Sequence, residues 1–245
     1  MKNMGNIIFI GDTMTRVELI TREFFKKNEA TSKYFQKIES RKGELFIKFF
    51  MDKFLAFILL LLLSPVIVIL AVWIKLDSKG PIFYRQERVT RYGRIFRIFK
   101  FRTMISDADK VGSLVTVGQD NRITKVGHII RKYRLDEVPQ LFNVLMGDMS
   151  FVGVRPEVQK YVNQYTDEMF ATLLLPAGIT SPASIAYKDE DIVLEEYCSQ
   201  GYSPDEAYVQ KVLPEKMKYN LEYIRNFGII SDFKVMIDTV IKVIK

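Results

Sequence analysis

Residues 54–74 read FLAFILLLLLSPVIVILAVWI, a run in which no side chain carries a charge. A helix that rises about 1.5 Å per residue would extend this run over about 31 Å, enough to cross the apolar core of a bilayer. In the rest of the chain Lys, Arg, Asp and Glu recur every few residues. The sequence therefore predicts a charged domain that carries one membrane-embedded segment.

The middle and the flanks of this segment bear on its course through the membrane. Ser64-Pro65 stands in the middle, where proline removes a backbone donor and clashes with the preceding turn, which favours a kink. Basic residues flank the run on both sides, whereas a spanning helix carries most of its Lys and Arg on the cytoplasmic side. Both features favour a re-entrant helix that bends at Ser64-Pro65 and leaves by the face it entered. A spanning helix stays the alternative, because proline kinks are common in such helices too.

The charge and cysteine content limit the classes of partner and compartment. The 245 residues are enough for one sizeable core, and the net charge of +7 indicates an anionic partner. Anionic lipids, phosphorylated small molecules and nucleic acid all qualify by charge. No recognition helix or zinc-ligand spacing is visible in the sequence, so no nucleic-acid partner is expected. The single Cys198 excludes an internal disulfide and a thiolate metal site, which fits a reducing compartment.

Two short segments after the apolar run have the alternation of a β-hairpin. Residues 82–89 (IFYRQERV) and 94–101 (RIFRIFKF) alternate apolar and polar side chains on either side of Arg91-Tyr92-Gly93. The polar positions are nearly all cationic, which is ordinary for a solvated face. Directly behind a bilayer segment, such a face would lie on lipid phosphates, and we expect this interfacial docking.

The C-terminal third is predicted to be helical, with Ser203 placed to cap a helix that starts at Pro204. The last helix has apolar side chains at helical spacing on one face: Ile230, Phe233, Ile237, Val240, Ile241 and Ile244. This spacing predicts either a core-facing helix or a helix that lies at the membrane interface. The expected fold class is α+β and mostly helical, with a kinked, re-entrant membrane helix hairpin, a small basic β-hairpin and interface-lying amphipathic helices.

Asp136 and Glu137 are adjacent carboxylates in the sequence RLDEVPQLFNVLMGD, residues 134–148. Pro139 is tolerated only in the first turn of a helix, where its missing N–H would have no partner. A helix that runs to Met146 and ends at Gly147 must therefore carry both acids at its N-terminal edge. Taken alone, acids at that end are most often caps, because they complement the helix dipole.

The surroundings of this pair indicate more than a cap. Arg131 and Arg134 precede it and Arg155 follows it, so cations suited to binding a phosphate lie nearby in the sequence. The pair does not suit a glycosidase, whose carboxyls stand at least about 5 Å apart on opposite sides of a sugar. It does suit attack of one carboxylate on phosphorus while the other holds a metal ion. Free N–H groups of the helix start would keep Asp136 ionised and attract the phosphoryl group.

Several blocks of sequence carry a family resemblance at this point. They are GPIFYRQ (80–86), KFRTM (100–104), Asp120 with RIT (122–124), LDEVPQL (135–141) and GDMSFVG (147–153), together with the Ser64-Pro65 helix. In this order the blocks resemble the bacterial sugar transferases, in particular the small monotopic phosphoglycosyl transferases that act on polyprenyl phosphate. With the C-terminal region, the resemblance covers about residues 44–245.

The resemblance implies a reaction in two steps. Asp136 would attack the β-phosphorus of a UDP-sugar and release UMP, and polyprenyl phosphate would then take the phosphosugar. Glu137 would be the partner of Asp136, with Mg²⁺ as cofactor held by Glu137 and Asp136. The phosphate-binding residues expected in the motifs and beside the pair are Lys100, Arg102, Arg122, Arg131 and Arg155. The resemblance also implies a re-entrant helix, an inner (plasma) membrane location and a catalytic domain on the cytoplasmic face.

The expected domain organisation has three parts. Residues 1–43 form an N-terminal appendage of unknown role, residues 44–78 the kinked membrane helix, and residues 79–245 the cytoplasmic catalytic domain. The expected partners are a UDP-sugar, polyprenyl phosphate and the bilayer, while self-association as a homo-oligomer stays open. The alternative hypothesis is a membrane-anchored basic adaptor or regulator without catalysis.

Two stretches depart from the family pattern. GVRP at 153–156 stands where the family commonly has Gly-Pro-Arg-Pro, so the loop keeps Arg155 but loses one rigid proline. After Pro176 the chain reads AGITSPASIAYKDED, without the frequent tryptophan-bearing loop. The second difference is typical of a subgroup with another donor sugar.

Overall fold

Two short helices precede the apolar segment in the computed structural model, which describes residues 17, 20–108 and 120–244. Helix α1 spans Arg22–Lys27 and helix α2 spans Glu29–Ser40. Asn28 separates them and caps α2, because its side-chain oxygen accepts a hydrogen bond from Ala30 N at 2.9 Å. Phe25 of α1 and Tyr34 of α2 are buried in the largest apolar core, which they share with residues of the C-terminal helices.

The apolar segment forms one long helix, α3, from Lys42 to Asp77. Its 36 residues extend over about 54 Å. Among the described residues, α3 is the one helix long and apolar enough to cross a membrane. Large apolar side chains are exposed along much of its length, from Phe46 to Leu76.

Helix α3 continues through Ser64-Pro65, so a hairpin of two separate helix arms is not confirmed. Pro65 has no N–H to donate to the carbonyl of Leu61, four residues earlier. Ser64 Oγ donates to that same carbonyl at 2.8 Å. The hydroxyl therefore satisfies the acceptor that proline leaves open, which gives a physical reason for the unbroken helix. The re-entrant course of α3 in a membrane stays a prediction.

The folded body of the protein lies along one side of α3 and contacts both of its ends. Near the N-terminal end, Asp52 accepts a hydrogen bond from Ser150 Oγ at 2.6 Å. Near the C-terminal end, Asp77 accepts one from Val126 N at 3.3 Å. Between these points Ala56 and Leu70 are buried against the body. The two ends of the helix are thus attached to the same folded domain.

The predicted β-hairpin is confirmed, with β1 at Phe83–Val89 and β2 at Ile95–Phe101 in antiparallel register. Its basic face, however, is divided. Arg85, Arg94 and Arg97 point to solvent, while Arg88, Lys100 and Arg102 turn towards the protein and bind oxygen atoms there. Of these six side chains, Arg85, Arg94 and Arg97 face outward, and Arg94 and Arg97 pair with Asp148 and Glu87.

The stretch with the adjacent carboxylates differs in one respect from the sequence-based expectation. Helix α4 spans Lys125–Lys132 and is capped by Thr124. Helix α5 spans Gln140–Met146 and ends at Gly147, the end that the sequence predicts. Asp136 and Glu137 lie on a separate 3-10 turn, Leu135–Glu137, rather than on α5. Arg134 before this turn is left-handed, with φ of 55°, and Pro139 is the N-cap of α5. The two irregular positions separate the turn from both helices.

A second, two-stranded sheet follows α5. Strand β3 (Met149–Val152) pairs in parallel with β4 (Ala177–Thr180), and between them lie helix α6 (Gln159–Val162) and a 3-10 helix at Met169–Leu174. Gly153 and Gly178 bring the backbones together so closely that a Cβ on Gly178 would lie 2.2 Å from Gly153 N. This contact places the segment after β3, which carries Arg155.

The C-terminal part is helical, as predicted. Helices α7 (Pro182–Ala186), α8 (Glu190–Ser199) and α9 (Pro204–Ala207) lead through a π-helical turn into α10 (Leu213–Arg225) and α11 (Ile229–Ile244). Ser203 and Glu206 form a capping box at α9. The alternative in which the apolar stripe of α11 faces the core is wrong, because five side chains of the stripe are exposed: Ile230, Phe233, Ile237, Val240 and Ile241.

Candidate active site

The adjacent carboxylates lie in a shallow, cation-lined site between β2, the 3-10 turn and the segment after β3. Lys100 Nζ is 3.0 Å from Glu137 Oε1 and 3.6 Å from Asp136 Oδ2. Arg155 Nη1 is 3.1 Å from the same Oε1 of Glu137. The side chains of Asp136 and Glu137 are 14% and 12% exposed, so both remain reachable from solvent.

Asn143 fixes the position of Lys100 relative to the carboxylates. This residue of α5 is fully buried, and its Oδ1 accepts from Phe99 N at 2.8 Å while its Nδ2 donates to Arg97 O at 3.0 Å. The two bonds attach α5 to β2 on the residues before Lys100. Sequence reasoning missed Asn143, although a single amide inside the apolar run LFNVLM was the available signal.

The two carboxylates have opposite tendencies to ionise. Burial raises the pKa of Asp136, and the charge of Glu137 raises it further against the opposing effect of Lys100. Burial also disfavours the ionised form of Glu137, but Lys100 and Arg155 outweigh it and hold the pKa of Glu137 well below its usual range. Glu137 is therefore a fixed anion, and Asp136 is the group whose protonation varies.

The expectation that helix N–H groups keep Asp136 ionised is wrong. Among the described residues no backbone N–H donates to its carboxylate, because the 3-10 turn and Pro139 place it outside the first turn of α5. Its stabilising charges come instead from the side chains of Lys100, Arg131 and Arg155. A carboxylate held only by side chains keeps oxygen atoms available for a substrate.

The carboxylate oxygens of the pair suit a magnesium ion that takes its other ligands from water and phosphate. They suit less well a metal ion whose ligands all come from the protein. Both cations contact Oε1 of Glu137, and within the described part of the chain no hydrogen bond is made to Oε2 of Glu137 or Oδ1 of Asp136. No group of three or more His, Cys, Asp or Glu side chains is assembled among the residues that the structure describes. Mg²⁺ commonly binds one or two carboxylates and completes its shell with water and phosphate oxygens.

The structure brings some of the expected phosphate-binding residues to the pair and not others. Arg131 adds its positive charge at Asp136. Arg122 forms a bidentate pair with Asp120, with Nη2 to Oδ2 at 2.6 Å, and the charge of Arg131 also acts on this Asp120. Arg122 is thus linked to the site through Asp120 and Arg131, without a contact to the carboxylates.

Arg102 has a different position from the one expected. Its guanidinium is almost fully buried and donates to the carbonyls of Ser78 and Lys79 and to the hydroxyl of Ser106. These bonds close the turn that follows α3. Within the described part of the chain its Nε is buried without a hydrogen-bond partner, and its hydrogen bonds go to this turn and not to Asp136 or Glu137. A role of Arg102 in phosphate binding stays a prediction.

A second group of charges surrounds Arg155 on the side away from Glu137. Glu190 and Glu157 both act on the Arg155 guanidinium and, with Glu137, raise its pKa. Lys216 lies 2.8 Å from Glu190 Oε2 and 3.6 Å from Glu157 Oε1, and it is almost fully buried. Tyr208 donates to Glu157 within the same group. Sequence reasoning missed these residues, because they lie far apart in the chain and carry no common motif.

Arg134 connects the divergent loop after β4 to the site. Its Nη2 donates to the carbonyl of Lys188 at 3.1 Å, two residues before Glu190. The stretch of sequence that departs from the family pattern therefore adjoins both the turn with Asp136 and the charges around Arg155.

Residues 43–245 match the family model of bacterial sugar transferases. The chain belongs to this family. The matched region contains the carboxylate pair, Lys100 and Arg155, while α1 and α2 precede it. The resemblance drawn from the sequence blocks is confirmed.

Three curated relatives of this bacterial sugar transferase illustrate what similar proteins do. A UDP-N-acetylgalactosamine-undecaprenyl-phosphate N-acetylgalactosaminephosphotransferase of Aeromonas hydrophila is 37% identical over 199 residues, 80% of this chain and 43% of the relative. A putative undecaprenyl-phosphate N-acetylgalactosaminyl 1-phosphate transferase of Bacillus subtilis is 39% identical over 157 residues, 61% of this chain and 82% of the relative. A UDP-glucose:undecaprenyl-phosphate glucose-1-phosphate transferase of Escherichia coli is 36% identical, over 78% of this chain and 39% of the relative.

The sugar transferase described here thus spans less than half the length of the Aeromonas and Escherichia proteins and most of the Bacillus protein. The names of all three relatives describe transfer of a sugar phosphate to undecaprenyl phosphate; two of them name N-acetylgalactosamine and the third names glucose.

Proposed function

We propose that this chain transfers a sugar-1-phosphate from a UDP-sugar to polyprenyl (undecaprenyl) phosphate, as an early membrane step of bacterial glycan assembly. The observation that carries the proposal is the pairing of Asp136, which has open carboxylate oxygens, with Glu137, which is held ionised by Lys100 and Arg155. Family membership and the activities named for the relatives support the same reaction.

In the first step, a carboxylate oxygen of Asp136 attacks the β-phosphorus of the UDP-sugar. A new P–O bond forms to Asp136, the bond from that phosphorus to the bridging oxygen breaks, and UMP leaves with the electron pair. The product on the enzyme is an acyl phosphate that carries the sugar. Attack requires the ionised form of Asp136, which burial and Glu137 disfavour and the neighbouring cations favour.

In the second step, a phosphate oxygen of polyprenyl phosphate attacks the same phosphorus. The bond to Asp136 breaks, the carboxylate is regenerated, and polyprenyl-diphosphate sugar is released. Because polyprenyl phosphate is the nucleophile of the second displacement, the protein needs to supply one nucleophilic carboxylate.

The cations of the site have separable roles in this scheme. Lys100, between the two carboxylates, is positioned to offset the charge that passes from Asp136 to the departing UMP. Arg155 anchors Glu137 and presents the rest of its fork to a phosphate. The open Oε2 of Glu137 and Oδ1 of Asp136 are the atoms we assign to Mg²⁺, which would neutralise diphosphate charge when bound.

The membrane arrangement that we propose is monotopic, with α3 re-entrant. The contacts of the folded body with α3 near Asp52 and again near Asp77 support an arrangement in which both ends lie on the side of the membrane that holds the body. The exposed apolar faces of α3 and α11 would enter the lipid. Residues 44–78 are then the membrane part, residues 79–245 the cytoplasmic catalytic domain, and residues 1–43 an appendage whose helices α1 and α2 pack against that domain.

The reaction is tested with purified protein, Mg²⁺, undecaprenyl phosphate and a panel of UDP-sugars, with UMP release as the readout. We expect UMP release with at least one donor and its loss in Asp136→Asn, with unchanged circular dichroism. Without acceptor, a stoichiometric burst of UMP and a protein mass increased by the phosphosugar are expected. Normal turnover by Asp136→Asn would exclude the covalent role. No UMP with any donor would favour the adaptor hypothesis.

A further inference from the structure

A cavity of about 440 Å³ lies at the opposite end of the β-hairpin from the carboxylates. It is enclosed by α2, the first turns of α3, the hairpin turn and the start of β3. We propose that this cavity binds one anionic membrane phospholipid, with its phosphate among the cations and an acyl chain along the exposed apolar face of α3.

The cavity is separate from the candidate active site. Arg91 and Tyr92 of the hairpin turn line it, whereas Lys100 lies at the far end of β2. Seven residues of strand at about 3.3 Å each place the two sites about 23 Å apart. A phosphate held in the cavity would therefore be out of reach of Asp136, and its ligand is neither donor nor acceptor of the reaction.

The charges that line the cavity favour an anion. Four cationic side chains line it, against two carboxylates: Arg22, Lys42, Lys48 and Arg91, against Glu39 and Asp52. Lys48 is already compensated, because it lies 3.5 Å from Asp52 and 2.6 Å from Asp232. Arg22 and Lys42 share one carboxylate, that of Glu39, since Arg22 lies 2.6 Å and Lys42 2.5 Å from its Oε2.

Arg91 is the cation of the cavity with the least compensation. Its Nε donates to the carbonyl of Leu174 at 3.0 Å and its Nη2 to the hydroxyl of Tyr92 at 2.9 Å. Among the described residues no carboxylate pairs with it. A phosphate beside Arg91 would supply the missing negative charge through a charge-assisted hydrogen bond.

The apolar part of the lining indicates that the anion carries a hydrocarbon chain. Leu45, Phe46 and Phe49 line the cavity, and Phe46 is 72% exposed on the surface of α3 that continues into the apolar segment. A soluble anion would leave these side chains in water, whereas an acyl chain would cover them. The volume lies within the range of about 300–1,000 Å³ that is typical of small-molecule sites.

Part of the cavity wall comes from outside the matched family region. Arg22, Ile38, Glu39 and Lys42 line it and precede residue 43, where the family match starts. The appendage of unknown role thus completes a site that the matched region alone would leave open. This assigns to the appendage a function in fixing the position of the enzyme at a lipid surface.

The proposal is tested by photo-crosslinking on the full chain in phosphatidylcholine nanodiscs that contain a small fraction of photoactivatable phosphatidylglycerol. Labelled peptides are identified by mass spectrometry. Arg91→Gln removes the uncompensated charge, and Leu45→Trp fills the cavity without a change of charge. Lys37→Gln, an exposed lysine of α2 outside the cavity, is the matched control for charge.

We expect labelling at residues 45–49, a drop of about fivefold in Arg91→Gln, loss in Leu45→Trp and no change in Lys37→Gln. Equal labelling by photoactivatable phosphatidylcholine would overturn the preference for an anionic headgroup. Unchanged labelling in both cavity variants would overturn the site itself, as would stronger labelling of the same residues by photoactivatable polyprenyl phosphate. Because the readout does not depend on UMP release, its outcome is independent of the proposed reaction.

Discussion

Arg155 Nη1 lies 3.1 Å from Oε1 of Glu137, and this contact joins the segment after β3 to the turn with the carboxylate pair. The guanidinium interacts with Glu137 at the site and also with two further carboxylates, those of Glu190 and Glu157. The arrangement makes Arg155 both an anchor of Glu137 and a phosphate contact.

Replacing Arg155 separates these two roles. Arg155→Met should lower kcat/KM for UMP release by about a hundredfold, the effect typical of losing one donor to a developing anion. Arg155→Lys should retain more of the wild-type kcat/KM than Arg155→Met, because an ammonium keeps the charge but lacks the two parallel N–H donors of the guanidinium. Steady-state kinetics with the best donor measures both variants. Equal activity of Met and Lys variants would contradict a role for the charge.

The pH dependence of the first step should report the protonation of Asp136. Because burial and Glu137 raise the pKa of Asp136, the ionised nucleophile is lost as pH falls through a value above the ordinary one of about 3.9. The rate of the UMP burst should therefore decline with falling pH earlier than for an unperturbed aspartate. Glu137→Gln removes a charge that raises this pKa, so the acid limb of its residual activity should move to lower pH.

The buried lysine behind the site is expected to be structural. Lys216 is almost fully buried and neutralises Glu190 and Glu157, so Lys216→Met leaves two carboxylates without their cation. We expect a loss of about 3–5 kcal/mol in the free energy of unfolding. Denaturant titration measures it, and Lys216→Arg is the matched control. The double variant Lys216→Met/Glu190→Gln should lose less free energy of unfolding than Lys216→Met alone. An equal or larger loss in the double variant would show that the two residues are not coupled.

The amide of Asn143 should matter for both stability and activity. Asn143→Ala leaves Phe99 N without its partner and leaves Arg97 O with the longer bond from Arg85 at 3.4 Å, at a cost of about 1–3 kcal/mol. The same change loosens β2 next to Lys100, so kcat should fall more than thermal stability alone explains. Thermal unfolding and UMP release are measured on the same preparation. Unchanged kcat in folded Asn143→Ala would contradict the positioning role.

The topology of α3 can be measured with introduced cysteines. In a Cys198→Ser background, cysteines at Lys42 and Lys79 should both react only with a reagent confined to the cytoplasmic side. The reason is that the folded body contacts α3 at both ends. Labelling of one site from the outside would establish a spanning helix.

The elements that the sequence predicts correctly depend on signals within a few residues. The hairpin of 83–101 follows from alternation around Arg91-Tyr92-Gly93, and α4 from the capping Thr124. Pro139 predicts that the carboxylate pair lies at the edge of a helix, because proline is tolerated only in the first turn. What that local rule could not supply is the left-handed Arg134, which places the pair on a turn of its own.

The remaining features depend on packing between distant parts of the chain. Arg102 belongs to the same basic strand pattern as Lys100, yet it turns inward to Ser78 and Lys79 while Lys100 reaches the carboxylates. A pattern of alternating residues assigns a face to a side chain but not a partner on that face. The unbroken α3 depends likewise on one hydroxyl, that of Ser64, at the carbonyl that Pro65 leaves open.

The sequence by itself determined the membrane-embedded segment, the helices with their caps, the hairpin, the family and the pair Asp136-Glu137. Each is encoded by side-chain periodicity or by residues adjacent in the chain. Only the tertiary structure decided which cations hold Glu137, that burial raises the pKa of Asp136, that Lys216 supports Arg155, and that the appendage closes a cavity. These properties arise from distances between residues far apart in sequence, and desolvation and ion pairing exist only once packing has set those distances.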